Sequence, residues 1–357
     1  HCYHGVLERP VVVGRLTGAI SAKSKRKLLR GIEGGEVGIV VGTHAIIQKE
    51  VTFKKLGLAV IDEQHRFGVE QRLALRQKGF NPHVLAMTAT PIPRTMALTL
   101  YGDLDLSVID EMPPGRQIVK TKWVYPEERP KAYEFVRRQV NEGRQAFIIC
   151  PLIEESEAVE ARAAVVEYER LSREVFPEFR LGLLHGRMSA EEKEKVMGLF
   201  RTGGLDILVS TAVVEVGIDV PNATVILVEG ADRFGLSQLH QFRGRVGRSQ
   251  YASYCLLLAE NPSDEGRERL RLIERIHNGF VLAEEDLKLR GPGEFFGTRQ
   301  SGLSDFRMAR LSDVALLEMA RSEAMALWKD TRLLKTEEYR PLMMELARTW
   351  PGVAEWS

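Results

Sequence analysis

Two adjacent carboxylates, Asp62 and Glu63, stand immediately after the apolar run Leu58 to Ile61. Such a run reads as a buried strand, and in open parallel sheets ligands sit at the carboxyl ends of the strands. One carboxylate there can hold a magnesium shell while its neighbour polarises a water, which is the chemistry of nucleotide hydrolysis. A solvated loop pair is the alternative for these two residues taken alone. Thr88-Ala89-Thr90-Pro91 follows the next apolar run, so two hydroxyls are expected at the same sheet edge; strand-end capping is the competing explanation. Gln241 to Arg248 carries the strongest signal. On one helix, Gln241, Arg245 and Arg248 fall at i, i+4 and i+7 and share a face. Two arginines on one face suit a triphosphate whose terminal group is transferred, with a structural salt-bridge cluster as the alternative. Gly244 and Gly247 weaken a helix by about 1 kcal/mol each, so close approach of another backbone is expected there. Thr211, after another apolar run, is placed to meet a nucleic-acid phosphate, and Gly217 and Asp219 to approach a ribose or assist the arginines.

Strands must carry these residues. Short apolar, β-branched runs recur at Val11 to Val13, Val37 to Val41, Leu58 to Ile61 and Val84 to Met87. A second series follows at Ala146 to Cys150, Leu181 to Leu184, Ile207 to Val209, Thr224 to Val228 and Tyr254 to Leu258. Helix-compatible stretches separate them, the rhythm of two tandem α/β units with parallel sheets and crossover helices. Met112-Pro113-Pro114-Gly115-Arg116 is a hinge candidate, because paired prolines and a glycine end regular structure. Ser189 with Glu192 three residues later predicts a capping box, Val196, Leu199 and Phe200 an inward stripe, and Gly203 a helix end. Beyond about residue 260 the strand pattern gives way to charged helical sequence, broken by Gly291-Pro292-Gly293. The expected domains are 1–115, 116–262 and 263–357.

The chain has 357 residues, 44% hydrophobic and 28% charged, with a net charge of +1. That is the composition of a globular protein; no run of about 18 apolar residues is present to span a membrane, and no secretory signal opens the chain. Cys2, Cys150 and Cys255 are far apart, and the latter two lie in apolar runs, so reduced core cysteines in a cytosolic protein are expected. His1, Cys2 and His4 lack the second ligand cluster that a zinc site needs. Basic runs at Lys23 to Arg30 and Arg267 to Arg275 are compatible with nucleic acid and equally with solvated helix faces.

Asp62-Glu63-Gln64-His65, Thr88-Ala89-Thr90, Thr211 to Asp219 and Gln241 to Arg248 resemble motifs two, three, five and six of superfamily 2 helicases. Ile61 to Arg72 and Asp286 to Gly302 bring the resemblance closer, to the RecG family of branch-migration helicases, over nearly the whole chain. The resemblance implies two RecA-like parallel-sheet domains, the first truncated, then a mainly helical C-terminal region. It implies ATP and magnesium, with ATP between the two domains and branched duplex DNA across both. Asp62 then organises magnesium, Glu63 positions the attacking water, Gln64 and His65 couple the γ-phosphate to the interdomain contact, and Arg245 and Arg248 complete the site. Gln241, Gly217 and Asp219 belong to the nucleotide-binding set. Thr17, Gly18, Thr43, His185 and Thr211 resemble positions that touch the DNA backbone, Thr88 and Thr90 relay between sites, and Arg290 and Gln300 fall in a translocation motif. A monomeric cytoplasmic protein and a single-strand-binding protein partner are further family expectations.

One departure matters: no Gly-x-x-x-x-Gly-Lys-Ser/Thr loop occurs in these residues, so the phosphates lose their backbone cradle. The family carries that loop and a junction-gripping wedge upstream; His1 is therefore expected inside the first RecA-like domain, and ATP hydrolysis by this chain alone is expected to be inefficient. The transcription-repair translocase shares the movement motif but usually carries a glutamate where Gln64 stands here. From a different class, a non-catalytic DNA-binding module with a motor fold is the alternative.

Overall fold

The computed structural model describes residues 2–3, 10–18, 20–63, 71, 74–75, 77–90, 105–113, 115–150, 157–212, 219–290, 314–329 and 336–349. The chain divides into two compact units, His1–Thr90 and Pro91–Ser357.

In the first unit the apolar runs form β2 (Val11–Leu16), β3 (Ile39–Gly42), β4 (Leu58–Ile61) and β5 (His83–Ala86). β2 pairs parallel with β3 and β4 with β5, as two separate small sheets, and β1 (Cys2–Tyr3) adds antiparallel to β2. Helix α1 (Ala22–Gly34) makes the crossover from β2 to β3. Ser21 caps its start by accepting from the Ser24 amide, and Gly35, at φ 78°, turns the chain out of its end. Gly42 is obligatory, since a Cβ there would lie 1.9 Å from the Leu16 carbonyl oxygen. The expectation of a fully buried strand before the acidic pair is corrected. β4 buries Ala59 and Ile61 on one face, while Leu58 and Val60 on the other are 58% and 53% exposed. A continuous apolar run cannot be told from an alternating half-buried strand by its residue types alone.

The second unit is built on a six-stranded, all-parallel sheet. Its strands are β6 (Lys120–Val124), β7 (Gln145–Ile149), β8 (Leu181–Leu184), β9 (Ile207–Ser210), β10 (Ala223–Val228) and β11 (Tyr254–Leu258), in the order β6-β11-β10-β7-β9-β8. Crossover helices cover both faces, as parallel strands require. On one face, α2 (Arg129–Asn141) and α3 (Glu157–Arg170) lead a layer in which Val136, Ala164, Leu171 and Phe176 pack on Ile148, Val209 and Leu227. On the other, α4 (Ala190–Arg201), α5 (Leu236–Arg243), α6 (Asp264–Arg275) and α7 (Gly279–Arg290) set Phe200, Phe242, Ile273 and Leu282 against Phe147, Leu208 and Ile226. The Ser189–Glu192 capping box forms at the start of α4, and Gly203 takes φ 77° just past its end. Cys150 and Cys255 are buried free thiols, and burial raises both pKa values, Cys255 to about 12. Further along lie α8 (Val314–Lys329) and α9 (Arg340–Thr349), so the C-terminal region is helical as expected. Gly291-Pro292-Gly293 lies outside the described residues. No described helix is long and apolar enough to cross a membrane.

Candidate nucleotide and phosphate-contact residues

Parallel strands deliver the expected residues to their carboxyl ends. In the first unit Asp62 and Glu63 follow β4, and the Met87 amide donates to the Ile61 carbonyl at 2.8 Å, so Thr88 and Thr90 come to the same edge. Asp62 Oδ1 accepts from the Glu63 amide at 2.9 Å. That bond closes a turn in which Glu63 takes φ 50°, one of two non-glycine residues with positive φ among those described. The left-handed conformation costs an ordinary residue about 1–2 kcal/mol, a strain found most often where a side chain is aimed for function. The Thr90 amide donates to Thr88 Oγ1 at 3.2 Å, a local turn that sets the Thr88 hydroxyl. Thr17, Gly18 and Thr43 stand at the ends of β2 and β3, where the Thr43 amide donates to the Leu16 carbonyl at 3.3 Å.

The second unit repeats the device. His185 follows β8 and Thr211 follows β9, and the Thr211 amide donates to the Leu184 carbonyl at 3.2 Å, which holds the two side by side. Thr211 is buried; His185 is half-buried, and its Nδ1 is buried without a hydrogen-bond partner. At the same carboxyl edge, with β7 between it and Thr211, Glu229 follows β10; it is buried and accepts from Tyr133 Oη at 2.8 Å and Arg129 Nη2 at 2.9 Å, tying α2 to the sheet edge. Burial raises the Glu229 pKa against the opposing pull of these partners.

The arginine stretch departs from the single-helix expectation. α5 ends at Arg243; Gly244 caps it, and Gly247 at φ 77° turns the chain, so Gln241 is helical whereas Arg245 and Arg248 lie on the following loop. The Arg245 amide donates to the Phe242 carbonyl at 2.9 Å, a tight final turn in place of a continued helix. The helix ends because Gly247 takes a left-handed φ of 77°; its near neighbour is a Val119 side-chain methyl, 2.7 Å from where a Cβ would lie, and not the second backbone that the glycine pair suggested. Arg248 Nε donates to the Gly244 carbonyl at 3.3 Å, and its Nη1 lies 3.4 Å from Asp219 Oδ1, so Asp219 and Arg248 are brought together. Gln64, His65, Gly217, Gln300 and the Arg290 side chain lie outside the described residues; Arg290 is the last residue of α7.

Two arginines escaped the sequence reading. Arg116 donates through Nη2 to the same Gly244 carbonyl at 3.5 Å, beside Arg248, and burial followed by that neighbouring charge lowers its pKa. Arg243 is 4% exposed. Its Nη1 donates to the carbonyls of Ile273 at 2.9 Å and Ile276 at 2.8 Å, and its Nη2 to that of His277 at 3.1 Å and to His240 Nδ1 at 2.8 Å. Burial, then Arg243 and Arg116, hold His240 down to about 4, so the neutral ring accepts this bond. Arg243 thus fastens the arginine loop's helix to the end of α6, just before α7. The signal was its register: Leu236, Leu239 and Arg243 share the inward face of α5. Arg243→Met leaves three carbonyls without this donor and is expected to lower the unfolding free energy by about 3 kcal/mol. Denaturant unfolding checks this, and an unchanged midpoint would show that the clamp contributes nothing.

Three family models match this chain: the DEAD/DEAH box helicase model at residues 6–99, the helicase conserved C-terminal domain at 130–250, and the C-terminal domain 3 of the ATP-dependent DNA helicase RecG at 276–357. The ATP-dependent DNA helicase RecG of Thermotoga maritima is 56% identical over 312 residues, covering 87% of this chain and 40% of the relative. That of Bacillus subtilis is 49% identical over 340 residues, 95% of this chain and 50% of the relative. The chain therefore spans half or less of the length of these relatives. A solved structure of RecG bound to a three-way DNA junction is 51% identical, with a TM-score of 0.66, over 86% of this chain and 40% of that one. The Mycobacterium smegmatis helicase Lhr bound to ssDNA and AMP-PNP, 16% identical with a TM-score of 0.56 over 76% of this chain and 38% of that one, shares the fold. Two RecA-like α/β units, a helical C-terminal region and RecG-level identity along most of the sequence make this chain similar to the C-terminal portion of RecG, a superfamily 2 helicase.

Proposed function

We propose that this chain serves an ATP-dependent double-stranded DNA translocase and helicase that acts on branched duplexes, reversing forks and migrating Holliday junctions in recombination and repair. The observation that carries the reading is the 51% identity, over 86% of the chain, to RecG solved on a three-way DNA junction. Asp62 would hold magnesium; a single exposed carboxylate at an open strand end fits an ion that takes its other ligands from phosphates and water. Bound with ATP, the ion supplies neutralisation of phosphate charge. Glu63 positions the attacking water, with Gln64 and His65 coupling to the γ-phosphate, and Arg245 and Arg248 offset the charge that develops on the transferred group. Gln241, Gly217 and Asp219 support the nucleotide. Thr17, Gly18, Thr43, His185 and Thr211 contact the DNA backbone, and Thr88 and Thr90 relay between the two tasks. The working division is 1–115, 116–262 and 263–357, with Arg290 and Gln300 converting hydrolysis into movement. A cytoplasmic monomer, with a single-strand-binding protein as a partner, completes the proposal.

Steady-state ATP hydrolysis with magnesium and forked duplex DNA tests the reading, comparing this chain with a longer one that includes a Gly-x-x-x-x-Gly-Lys-Ser/Thr loop. DNA-stimulated hydrolysis is expected from the longer chain; its absence there would overturn the proposal. In that longer chain, Arg290→Ala is expected to leave DNA-stimulated hydrolysis within about twofold while fork unwinding is lost, since hydrolysis and movement are separate free-energy steps. Parallel loss of both would remove the coupling role.

A further inference from the structure

Helix α1 presents a row of cations that none of the roles above uses. Lys23, Arg26, Lys27 and Arg30 are spaced i, i+3, i+4 and i+7, so they share one face, and all four are exposed. Among the described residues, none of the four has an ion-pair or hydrogen-bond partner for its side chain, whereas Lys25 on the opposite side of the helix is paired with Glu50 and bonded to Gln48. Glu33 closes the row without pairing to it.

The opposite face of α1 is already spent. Ile32 is buried, and Leu28 and Leu29 pack on the small core of Leu16, Ala45 and Val51. A basic amphipathic helix binds a membrane by sinking its apolar face into lipid, and here that face belongs to the fold. Residues 17 to 34 contain no aromatic side chain on which unpaired bases could stack. What remains is bare positive charge, which suits a phosphate backbone. Its placement agrees: α1 starts just after Thr17 and Gly18, at the edge where Thr43 joins Leu16, and the row runs back from there beside the sheet toward the start of β3. Seven residues of helix span about 10 Å, roughly the rise of three phosphates on one strand of a duplex at about 3.4 Å each.

We propose that α1 is a duplex-tracking surface on which Lys23, Arg26, Lys27 and Arg30 bind the phosphate backbone of double-stranded DNA beyond the edge formed by Thr17 and Thr43. The proposal rests on the reading of the protein as a duplex translocase. Binding here is to phosphates and so is blind to base sequence and strongly salt-dependent.

The test is equilibrium binding of a short fluorescent duplex to the full 357-residue chain across a range of salt concentrations. The chain is compared with a variant carrying Lys23→Gln, Arg26→Gln, Lys27→Gln and Arg30→Gln together, and with Lys25→Gln as the control on the opposite side of the helix. All four positions are exposed, and circular dichroism verifies that the helix is kept. The quadruple variant is expected to flatten the plot of log affinity against log salt by about 2 to 3 and to weaken binding at least about tenfold near physiological salt, while Lys25→Gln leaves the slope alone. Intact duplex binding with an unchanged slope overturns the row and leaves the translocase reading standing. A loss confined to single-stranded DNA overturns the duplex assignment. No salt-dependent duplex binding by the unsubstituted chain overturns both.

Discussion

Glu63→Gln, made in a longer chain that carries a phosphate loop, is expected to lower ATP turnover by about 10² to 10⁴ while nucleotide binding is kept. The amide matches the carboxylate in size, so the substitution removes a base and a negative charge without opening a cavity. It also leaves the local turn intact, because Asp62 Oδ1 holds the backbone amide of residue 63 and not its side chain. The positive φ of 50° at this position is equally available to glutamine and glutamate, so the strain is unchanged. Single-turnover hydrolysis beside equilibrium binding of a non-hydrolysable ATP analogue separates the two effects. Turnover within about threefold of the parent would show that another group positions the water, and the proposed pairing of Asp62 with magnesium would lose its neighbour's support.

How far the sequence exposed the molecule depends on what each residue's environment lets composition reveal. The central strands β7, β9 and β10 were legible because a parallel strand buried on both faces is apolar along most of its length; every residue of all three is buried, and the exceptions are Gln145, Thr224 and Ser210 at or near strand ends. β6 was not, because an edge strand with one neighbour, β11, tolerates Lys120 and Lys122 beside Trp123 and Val124. The carboxylates and threonines at strand ends were found because a strand ending in polar residues names its own edge. The arginines were found as a set but misplaced in conformation. Helical periodicity assumes an unbroken helix, and a glycine pair is compatible both with a helix that continues and with one that ends; here Gly247 takes φ 77° and the helix stops at Arg243. Arg116 stayed hidden because its partner is a carbonyl that carries no sequence signature, and Arg243 because its inward register, the one local signal, does not name the distant carbonyls it reaches.

Arg248→Ala is expected to have the larger effect on chemistry, about 10³ to 10⁵ in turnover, or roughly 4 to 7 kcal/mol of barrier, with little change in fold stability. The contrast with Arg243 explains why. Arg243 is buried and commits its donors to carbonyls and to His240, so it is structural. Among the described residues Arg248 is held by the Gly244 carbonyl at 3.3 Å and by Asp219 at 3.4 Å, and the Asp219 side chain is 67% exposed. Exposed pairs of this kind contribute about 0–1 kcal/mol, so Arg248 can leave Asp219 for a phosphate at small cost. Two further variants make the assignment specific. Arg248→Lys keeps the charge but loses the planar fork and is expected to recover only part of the rate. Asp219→Asn frees Arg248 without removing it and is expected to alter turnover by less than about tenfold. The measurement is kcat and KM for ATP with saturating forked DNA, beside the melting temperature of each variant. If Arg248→Ala keeps turnover within about tenfold while its melting temperature drops, the loop arginine is a structural pair with Asp219, and the transition-state role falls to Arg245 alone.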